Sequence, residues 1–580
     1  MLMKLLLTAL NAKYIHSALA LHCLKAYAKE LQEHIFIEEY TINHQEDFIL
    51  QEIYGKAPDV VCFSCYLWNI KQIANIVDNL KKILPDVLII LGGPEVSYDA
   101  VGTLEKIPAD IVIRGEGEAT FYELAKALVY GHVILEDIAG ITYRKSGKIY
   151  SNVDRMPINL DDLPFVYNDM TEFEHRIVYY ETQRGCPYCC QYCLSSIEKG
   201  VRFLSSERVE KDLQFFLDKK VPQVKFVDRT FNANPSHAKH IWNYLMEHDN
   251  GITNFHMEIT ADILDEESIL LLKKARKGLF QFEIGVQSTN ADTIKAIQRN
   301  TDFQKLKEIV KKIKQYGNIH QHLDLIAGLP YEDYASFRNS FNDVYALEPE
   351  QLQLGFLKLL KGSGLRTDAK KYGIVYRKEA VYEVLYTNAL SYAEICRLKQ
   401  IEEMVETYYN SQKALHSIAY AIKCFKTPFD FYEALAENWI FKNYHTLQHN
   451  KMELYTIFYD FITQTDCTAK YQPILKDILK FDIFLNDNVK TLPQWLLEKP
   501  EEKQKKWEYF NHTALIEQKA PSLANQTPKQ LSKSCYIGFF DYDVYVWAKE
   551  RKMTKKKTVI LFDYKQKDAV TGNYSYYLLS

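Results

Sequence analysis

The amino-acid sequence predicts an α/β protein in three parts: a doubly wound, Rossmann-like parallel sheet, a partial (β/α) barrel of six strand-helix units, and a mainly helical C-terminal domain. Three observations carry this. Short apolar runs alternate with helical periodicity up to about residue 128, the alternation resumes six more times between about 177 and 358, and beyond about 368 it gives way to aromatic-rich helical sequence. At 580 residues the chain is several times the roughly 100 to 200 residues of one domain, so several cores are expected.

In the first part the strand-like runs are 4–10, 35–42, 59–65, 87–91 and 110–113, with helical patterns such as 17–31 and 69–83 between them. Mostly apolar strands alternating with helices imply a parallel sheet covered on both faces, which binds ligands at its carboxyl ends. Those ends read TALN (8–11), SCYL (64–67), GGPE (92–95) and RGEGE (114–118). Residues 139–152 suit a hairpin around Ser146-Gly147, and the proline-punctuated 156–165 suits a linker. The second part has strand-like runs at 177–183, 222–228, 254–260, 279–286, 319–326 and 351–358. Barrel chemistry sits at strand carboxyl ends, and these are polar: 184–186, 228–230, 258–262, 287–288 and 328–330. The third part is helical over 372–507 and closes with strand-like runs near 535–546 and 558–563. The expected division is 1–135, a linker with hairpin at 136–172, a barrel at 173–367, and a C-terminal domain at 368–580.

Composition excludes several classes. Lys plus Arg 71 against Asp plus Glu 75 gives a net charge of -4, without the basic excess that nonspecific nucleic-acid binding needs. The basic run at 549–557 is expected to be a solvated turn. No apolar run approaches the roughly 18 residues of a membrane span, so no membrane insertion is expected. The apolar start, 1–10, breaks at Asn11 and Lys13 and is expected to be a buried strand rather than a signal peptide. The cysteines number 11, four of them within residues 186–193, which suggests a reducing cytoplasm and one metal site rather than a disulfide framework.

The segment RGCPYCCQYCLSS (184–196) holds Cys186, Cys189, Cys190 and Cys193. Thiolates on one tight loop favour zinc or an iron-sulfur cluster. Adjacent Cys189 and Cys190 point apart, which disfavours closing four thiolates on one zinc. Three ligands to a cubane with one open iron fit better, and spacing permits either Cys186, Cys190 and Cys193 or Cys186, Cys189 and Cys193.

The frame Cys186-x3-Cys190-x-Tyr192-Cys193, at the end of the first strand of a six-unit barrel, resembles the radical S-adenosylmethionine signature. The resemblance implies that Cys186, Cys190 and Cys193 bind a 4Fe-4S cluster whose open iron takes S-adenosylmethionine, with Tyr192 near the adenine and Cys189 a bystander. It further implies S-adenosylmethionine contacts from Glu258, Gln287, Ser288 and Arg299, and backbone near Ile326 and Gly328 beside the adenine. Asp228 and Arg229 face the same mouth, as substrate contacts or an internal pair. A doubly wound domain ahead of such a barrel is similar to the cobalamin-binding domain of the cobalamin-dependent subgroup, on the strength of GGPEVSY (92–98) and RGEGEATF (114–121). The implied cobalamin residues are Ser64, Tyr66, Leu67, Gly92, Gly93, Pro94, Glu95, Gly115, Glu116 and Gly117. The Asp-x-His-x-x-Gly signature is absent and neither His16 nor His44 is in its frame, so no histidine lower ligand is expected. The last 200 or so residues resemble the domain of unknown function of one branch of this family.

The expectation is a cytoplasmic, oxygen-sensitive enzyme that uses a 4Fe-4S cluster, S-adenosylmethionine and cobalamin for radical methyl transfer to an unactivated carbon. Rearrangement, cyclisation or oxidation with the same cofactors is the alternative, and a non-catalytic cofactor carrier the second. An electron donor such as flavodoxin or ferredoxin is the expected partner. Neither substrate nor catalytic residue is specified by the sequence.

Overall fold

The computed structural model describes residues 3–132, 134–197, 200–489 and 491–580; Met1 and Leu2, at the head of the expected first strand, lie outside them. The first sheet contains β1 (Leu5–Asn11), β2 (Ile35–Thr41), β3 (Val60–Ser64), β4 (Leu88–Gly92), β5 (Ile111–Ile113), β6 (Ile141–Lys145) and β7 (Lys148–Ser151) in the order β2-β1-β3-β4-β5-β6-β7. The first five pair in parallel. Alternate strand residues go to opposite sides, because successive side chains of a strand point to opposite faces. Leu6, Val61, Phe63, Ile89 and Leu91 meet the helices Glu46–Lys56 and Ile70–Ile83 in one core, while Leu5, Leu7, Cys62 and Ile90 meet Leu19–Tyr27 and Glu118–Tyr130 in another. The expected hairpin forms around Ser146 and Gly147, both with positive φ. It is not free in a linker: β6 pairs antiparallel with β5 and extends the first sheet.

The second sheet is fully parallel, in the order β15-β14-β13-β12-β11-β8, from β8 (Val178–Tyr180), β11 (Gln223–Phe226), β12 (Asn254–Ile259), β13 (Phe280–Gln287), β14 (His320–Ala327) and β15 (Gln351–Phe356). All six coincide with expected runs. Between β8 and β11, β9 (Gln183–Cys186) and β10 (Gly200–Phe203) form a small antiparallel pair.

A barrel of six strands stays open, and its two edges are met by residues from outside it. At β8 the Tyr167 hydroxyl accepts from Tyr179 N at 3.1 Å and donates to the Tyr179 carbonyl, while Ile177 N donates to Ile15 O at 2.7 Å. At β15 the Asn410 side chain accepts from Leu352 N and donates to Leu352 O, both at 2.9 Å, as a neighbouring strand would. The barrel core runs without a break into the C-terminal helices, including Tyr408, Tyr432 and Phe458.

Beyond the barrel, β16 (Val375–Tyr376) pairs with β17 (Val384–Tyr386), and helices follow up to Ser534. The chain closes on an antiparallel sheet of β18 (Cys535–Phe540), β19 (Thr558–Lys567) and β20 (Tyr574–Leu578). The expected strand near 535–546 ends at Phe540, because Asp543 accepts from Val546 N at 3.1 Å and caps the helix Val544–Glu550. β20 was not expected from sequence.

Glu95, buried at the start of the short helix Pro94–Ser97, ties the parts together. It meets Lys361 Nζ at 3.1 Å from the loop after β15 and accepts from the Tyr382 hydroxyl of the β16–β17 hairpin. A buried carboxylate that loses its cation is left uncompensated. Lys361→Met should therefore destabilise the protein by about 3 to 5 kcal/mol, and adding Glu95→Gln should restore part of the loss, as read from thermal unfolding curves of the two variants.

Candidate functional site

The cysteine loop is closed at its base by the β9–β10 ladder, where Cys186 pairs with Gly200. Gly185, at φ +96°, is required there: a Cβ would lie 2.1 Å from Gly200 O. Inside the loop Cys193 N donates to Cys190 O at 3.1 Å, and the Ser196 hydroxyl donates to Cys190 O at 2.8 Å and Cys193 O at 2.6 Å. Gln191 N donates to Ile297 O, and Gln191 O accepts from Leu365 N, which pins the tip.

Cys186, Cys190 and Cys193 line one cavity of about 170 Å3, and Cys189 is exposed and does not line it. Burial pushes the Cys190 thiol up, with Cys193 and Cys186 adding to the effect and Arg299 opposing it. Tyr192, Glu258, Gln287 and Arg299 share that cavity. Arg299 donates from Nη1 to the Tyr192 hydroxyl at 3.1 Å and from Nη2 to Gly285 O at 2.5 Å. Its Nε and Gln287 Oε1 are buried without a hydrogen-bond partner. Gln287 has positive φ at an irregularity in the β13–β14 register, which turns its side chain inward. Three thiols and two unspent polar atoms in one cavity fit a thiophilic cluster carrying a polar ligand.

Three expected contacts are not brought in. Ser288 is buried outside the cavity and donates to Glu332 at 2.6 Å, which also accepts from the Ser340 hydroxyl at 2.8 Å, so it ties two mouth loops together. Gly328 admits a close neighbour, but that neighbour is Val384: a Cβ would lie 2.8 Å from its Cγ1. Ile326 packs against the apolar core and does not line the cavity.

On the other side, Ser64, Tyr66, Gly92, Gly93, Gly115 and Gly117 line a pocket of about 130 Å3 at the carboxyl ends of the first sheet. Pro94 and Glu116 join Tyr66 and the glycines in a cleft of about 640 Å3 that reaches Cys193 and Ser195. Gly93, at φ +107°, lets this loop approach β3: a Cβ would meet Cys65 O at 2.6 Å. Asn69 holds the facing loop, accepting from Tyr66 N at 2.8 Å and donating to Ser64 O at 3.0 Å. Sheet-end glycines around a polar-mouthed pocket fit a large planar ligand with a tail. Leu67 instead packs on the barrel core, and Glu95 is spent on Lys361 and Tyr382, so neither lines these spaces.

Asp228 and Arg229 part company. Asp228 is fully buried and accepts from Thr182 N at 2.9 Å, the Thr182 hydroxyl at 2.5 Å and Gln183 N at 3.0 Å. Arg229 faces the mouth, 3.8 Å from Glu258. His16 is locally bonded, its Nδ1 2.6 Å from the Tyr179 hydroxyl.

Sequence reading missed a polar network across the barrel interior. Glu283 lies 3.1 Å from His256 Nε2 and 3.3 Å from Lys225 Nζ, and His322 Nε2 lies 3.0 Å from Asp324. Burial alone would raise the Glu283 carboxyl, but the His256 hydrogen bond and the Lys225 charge hold it down to about 2. Desolvation pushes Glu258 up to about 7 despite Arg229. The signal was present: FQFEIGVQ and NFHMEI alternate polar and apolar residues, and HQHLDLIA sets His320, His322 and Asp324 two apart, in strands that a parallel sheet should bury on both faces.

The chain matches three family descriptions in order: B12 binding domain over residues 5–125, Radical SAM superfamily over 180–344, and Protein of unknown function (DUF4080) over 370–562. Among curated proteins it is 26% identical over 377 residues to the cobalamin-dependent radical SAM methyltransferase TokK of Streptomyces tokunonensis, covering 60% of this chain and 53% of that one. It is 27% identical over 261 residues to the anaerobic magnesium-protoporphyrin IX monomethyl ester cyclase of a Synechocystis strain, covering 41% of this chain and 49% of that one. The chain spans about half the length of such relatives. The cobalamin-dependent S-adenosylmethionine radical enzyme OxsB shares the fold at a TM-score of 0.58 and 15% identity, over 83% of this chain and 79% of that one. The methyltransferase TsrM of Kitasatospora setae does so at 0.55 and 16%, over 66% and 79%.

The class is a radical S-adenosylmethionine superfamily protein with a B12 binding domain ahead of its barrel. Within that class, the chain carries the DUF4080 match behind its barrel, over residues 370–562. The cofactors that go with these domains are a 4Fe-4S cluster, S-adenosylmethionine and cobalamin.

Burial pushes the Asp228 carboxyl up to about 7, against the hydrogen bonds from Thr182 and Gln183. A raised folded value means that the folded state holds a proton the unfolded chain has released, so this group's contribution falls as pH rises toward 7, at ~1.4 kcal/mol per pH unit, and is flat above. Asp228→Asn should remove that slope. Its thermal midpoint relative to wild type should be higher at pH 8 than at pH 5, and an unchanged difference between the two pH values would contradict this account.

Proposed function

We propose that the protein is an enzyme that transfers a methyl group to an unactivated carbon, using the three cofactors of its class. The observation that carries this reading is the arrangement of the spaces. The cysteine cavity opens past Arg229 and Glu258 into clefts whose far wall is Tyr66 and the glycine loops of the first sheet, leaving room for a substrate between two cofactors. The relatives named as methyltransferases support it.

In this reading Cys186, Cys190 and Cys193 hold the cluster, and Cys189 is free. Tyr192, Gln287, Arg299 and Glu258 bind S-adenosylmethionine, with the unspent Arg299 Nε and Gln287 Oε1 facing its polar groups. Ser64, Tyr66, Gly92, Gly93, Pro94, Gly115, Glu116 and Gly117 surround the corrin and its tail. When bound, the cofactors supply one-electron cleavage of S-adenosylmethionine, hydrogen abstraction and a transferable methyl group; the chain positions the partners and excludes water. The working units are the sheet domain, the barrel and the C-terminal domain, divided near 135–172 and 367. No helix among the described residues is long and apolar enough to cross a membrane, and we place the enzyme in a reducing cytoplasm with a flavodoxin or ferredoxin as donor. The cyclase relative favours a second reading, in which the same cofactors rearrange, cyclise or oxidise the substrate without methylation.

Anaerobic reconstitution with iron, sulfide and hydroxocobalamin, followed by desalting, tests the assignment. Cobalamin should be retained stoichiometrically, iron should survive Cys189→Ala and be lost in Cys190→Ala, and a protein that keeps its cluster but no cobalamin would remove methyl transfer from the reading. A product heavier by one methylene, carrying label from S-adenosylmethionine, separates methylation from rearrangement.

A further inference from the structure

We propose that the cleft between the first sheet and the barrel binds a small anionic substrate, whose carboxylate or phosphate is held by Arg229. This rests on the reading above and adds the substrate's chemical class. The cleft has a volume of about 550 Å3 and is built from both halves of the molecule, with Ser17 and Trp68 on one side and Tyr179 and Lys225 on the other. None of the three cavity cysteines lines it, nor does any glycine of the sheet-end loops, so it extends beyond the spaces assigned to the cofactors, which it adjoins along Tyr66, Trp68, Arg184 and Arg229. It meets the cysteine cavity at Arg229 and Glu258, which line both.

The charges around it are committed, except for Arg229 and its neighbour Glu258. Arg184 is shared by Glu118 at 2.5 Å, Glu181 at 2.9 Å and Glu116 at 3.7 Å. Lys225 sits 3.3 Å from Glu283. Arg229 donates no hydrogen bond to any described residue; its one charged neighbour is Glu258, at 3.8 Å and beyond hydrogen-bond reach, and its side chain stays 59% exposed. A guanidinium offers five N–H donors in a planar fork that matches a carboxylate or phosphate. A cationic substrate would meet Arg229 and Lys225, while Glu118 and Glu181 are already spent on Arg184 and Glu258 lies beside Arg229. The ring of Tyr66 lies flat on Trp68, 4.4 Å between centroids with 9° between planes, and gives the cleft a broad apolar wall beside the cation. Anion and flat apolar body are thus both provided for.

The test uses the full chain, reconstituted anaerobically, with phenylacetate and phenyl phosphate as anionic probes and phenylacetamide as the neutral one. Dissociation constants come from titration with saturation-transfer difference NMR. At least one anionic probe should bind ~10-fold or more tightly than the amide, as loss of a charge-assisted hydrogen bond predicts. Arg229→Gln should abolish that preference and Arg229→Lys keep part of it, while bound S-adenosylmethionine and cobalamin stay at wild-type levels. Equal binding of amide and anions, no binding of any probe up to about 10 mM, or a preference that survives Arg229→Gln overturns the proposal. So does loss of S-adenosylmethionine from Arg229→Gln, which would put Arg229 on the methionine carboxylate. Failure of wild type to retain cobalamin instead strikes the underlying reading, and the anion preference is measured independently of it.

Discussion

The cation of Arg184 is the constraint around which the two sheets are set. Its guanidinium is largely buried between Glu118, the first residue of the helix after β5, and Glu181, from the end of β8, with Glu116 close by and Arg202 pairing with Glu116 behind it. Buried ions are costly unless each is met by partners in good geometry, so the cluster tolerates little displacement of one sheet against the other. Arg184 is two residues before Cys186, and Glu118 follows the glycines of the cleft wall. One ion cluster therefore sets the spacing between the cysteine loop and the sheet-end loops.

The barrel interior shows a second use of the same principle. Lys225, Glu283 and His256 form one chain and His322 and Asp324 another, below the cysteine cavity. The charges are fixed before anything binds, so the floor of the cavity presents oriented dipoles rather than mobile side chains. Glu332, buried with Ser288 and Ser340, does the same for the loops at the mouth.

Much of this was legible in the sequence, and the rest was not for identifiable reasons. Eleven strands, five in the first sheet and six in the barrel, stood out because parallel strands are nearly continuous apolar runs. The cysteine signature was legible because its ligand spacing is local. The neighbours of Glu95, Leu67, Ser288 and Gly328 were not legible because strand-end positions say where the backbone is, not which distant residue occupies the space beside it: Lys361, the barrel core, Glu332 and Val384 are each 44 or more residues away in sequence. β20, in NYSYYLLS, was not read as an element from sequence; in the fold it pairs antiparallel with β19. The interior network was written as period-two alternation and was overlooked in favour of the strand ends.

The borrowed edges of the barrel have a consequence for how the chain is made. The β8 edge is met by Tyr167 and by residues around Ile15, all synthesised before it. The β15 edge waits for Asn410, which emerges from the ribosome more than fifty residues later. A nascent barrel thus exposes one unpaired strand during that interval, the surface through which unfinished sheets join one another. The C-terminal domain, whatever else it contributes, ends that exposure, so the barrel reaches a soluble, finished form only as the last third of the chain arrives.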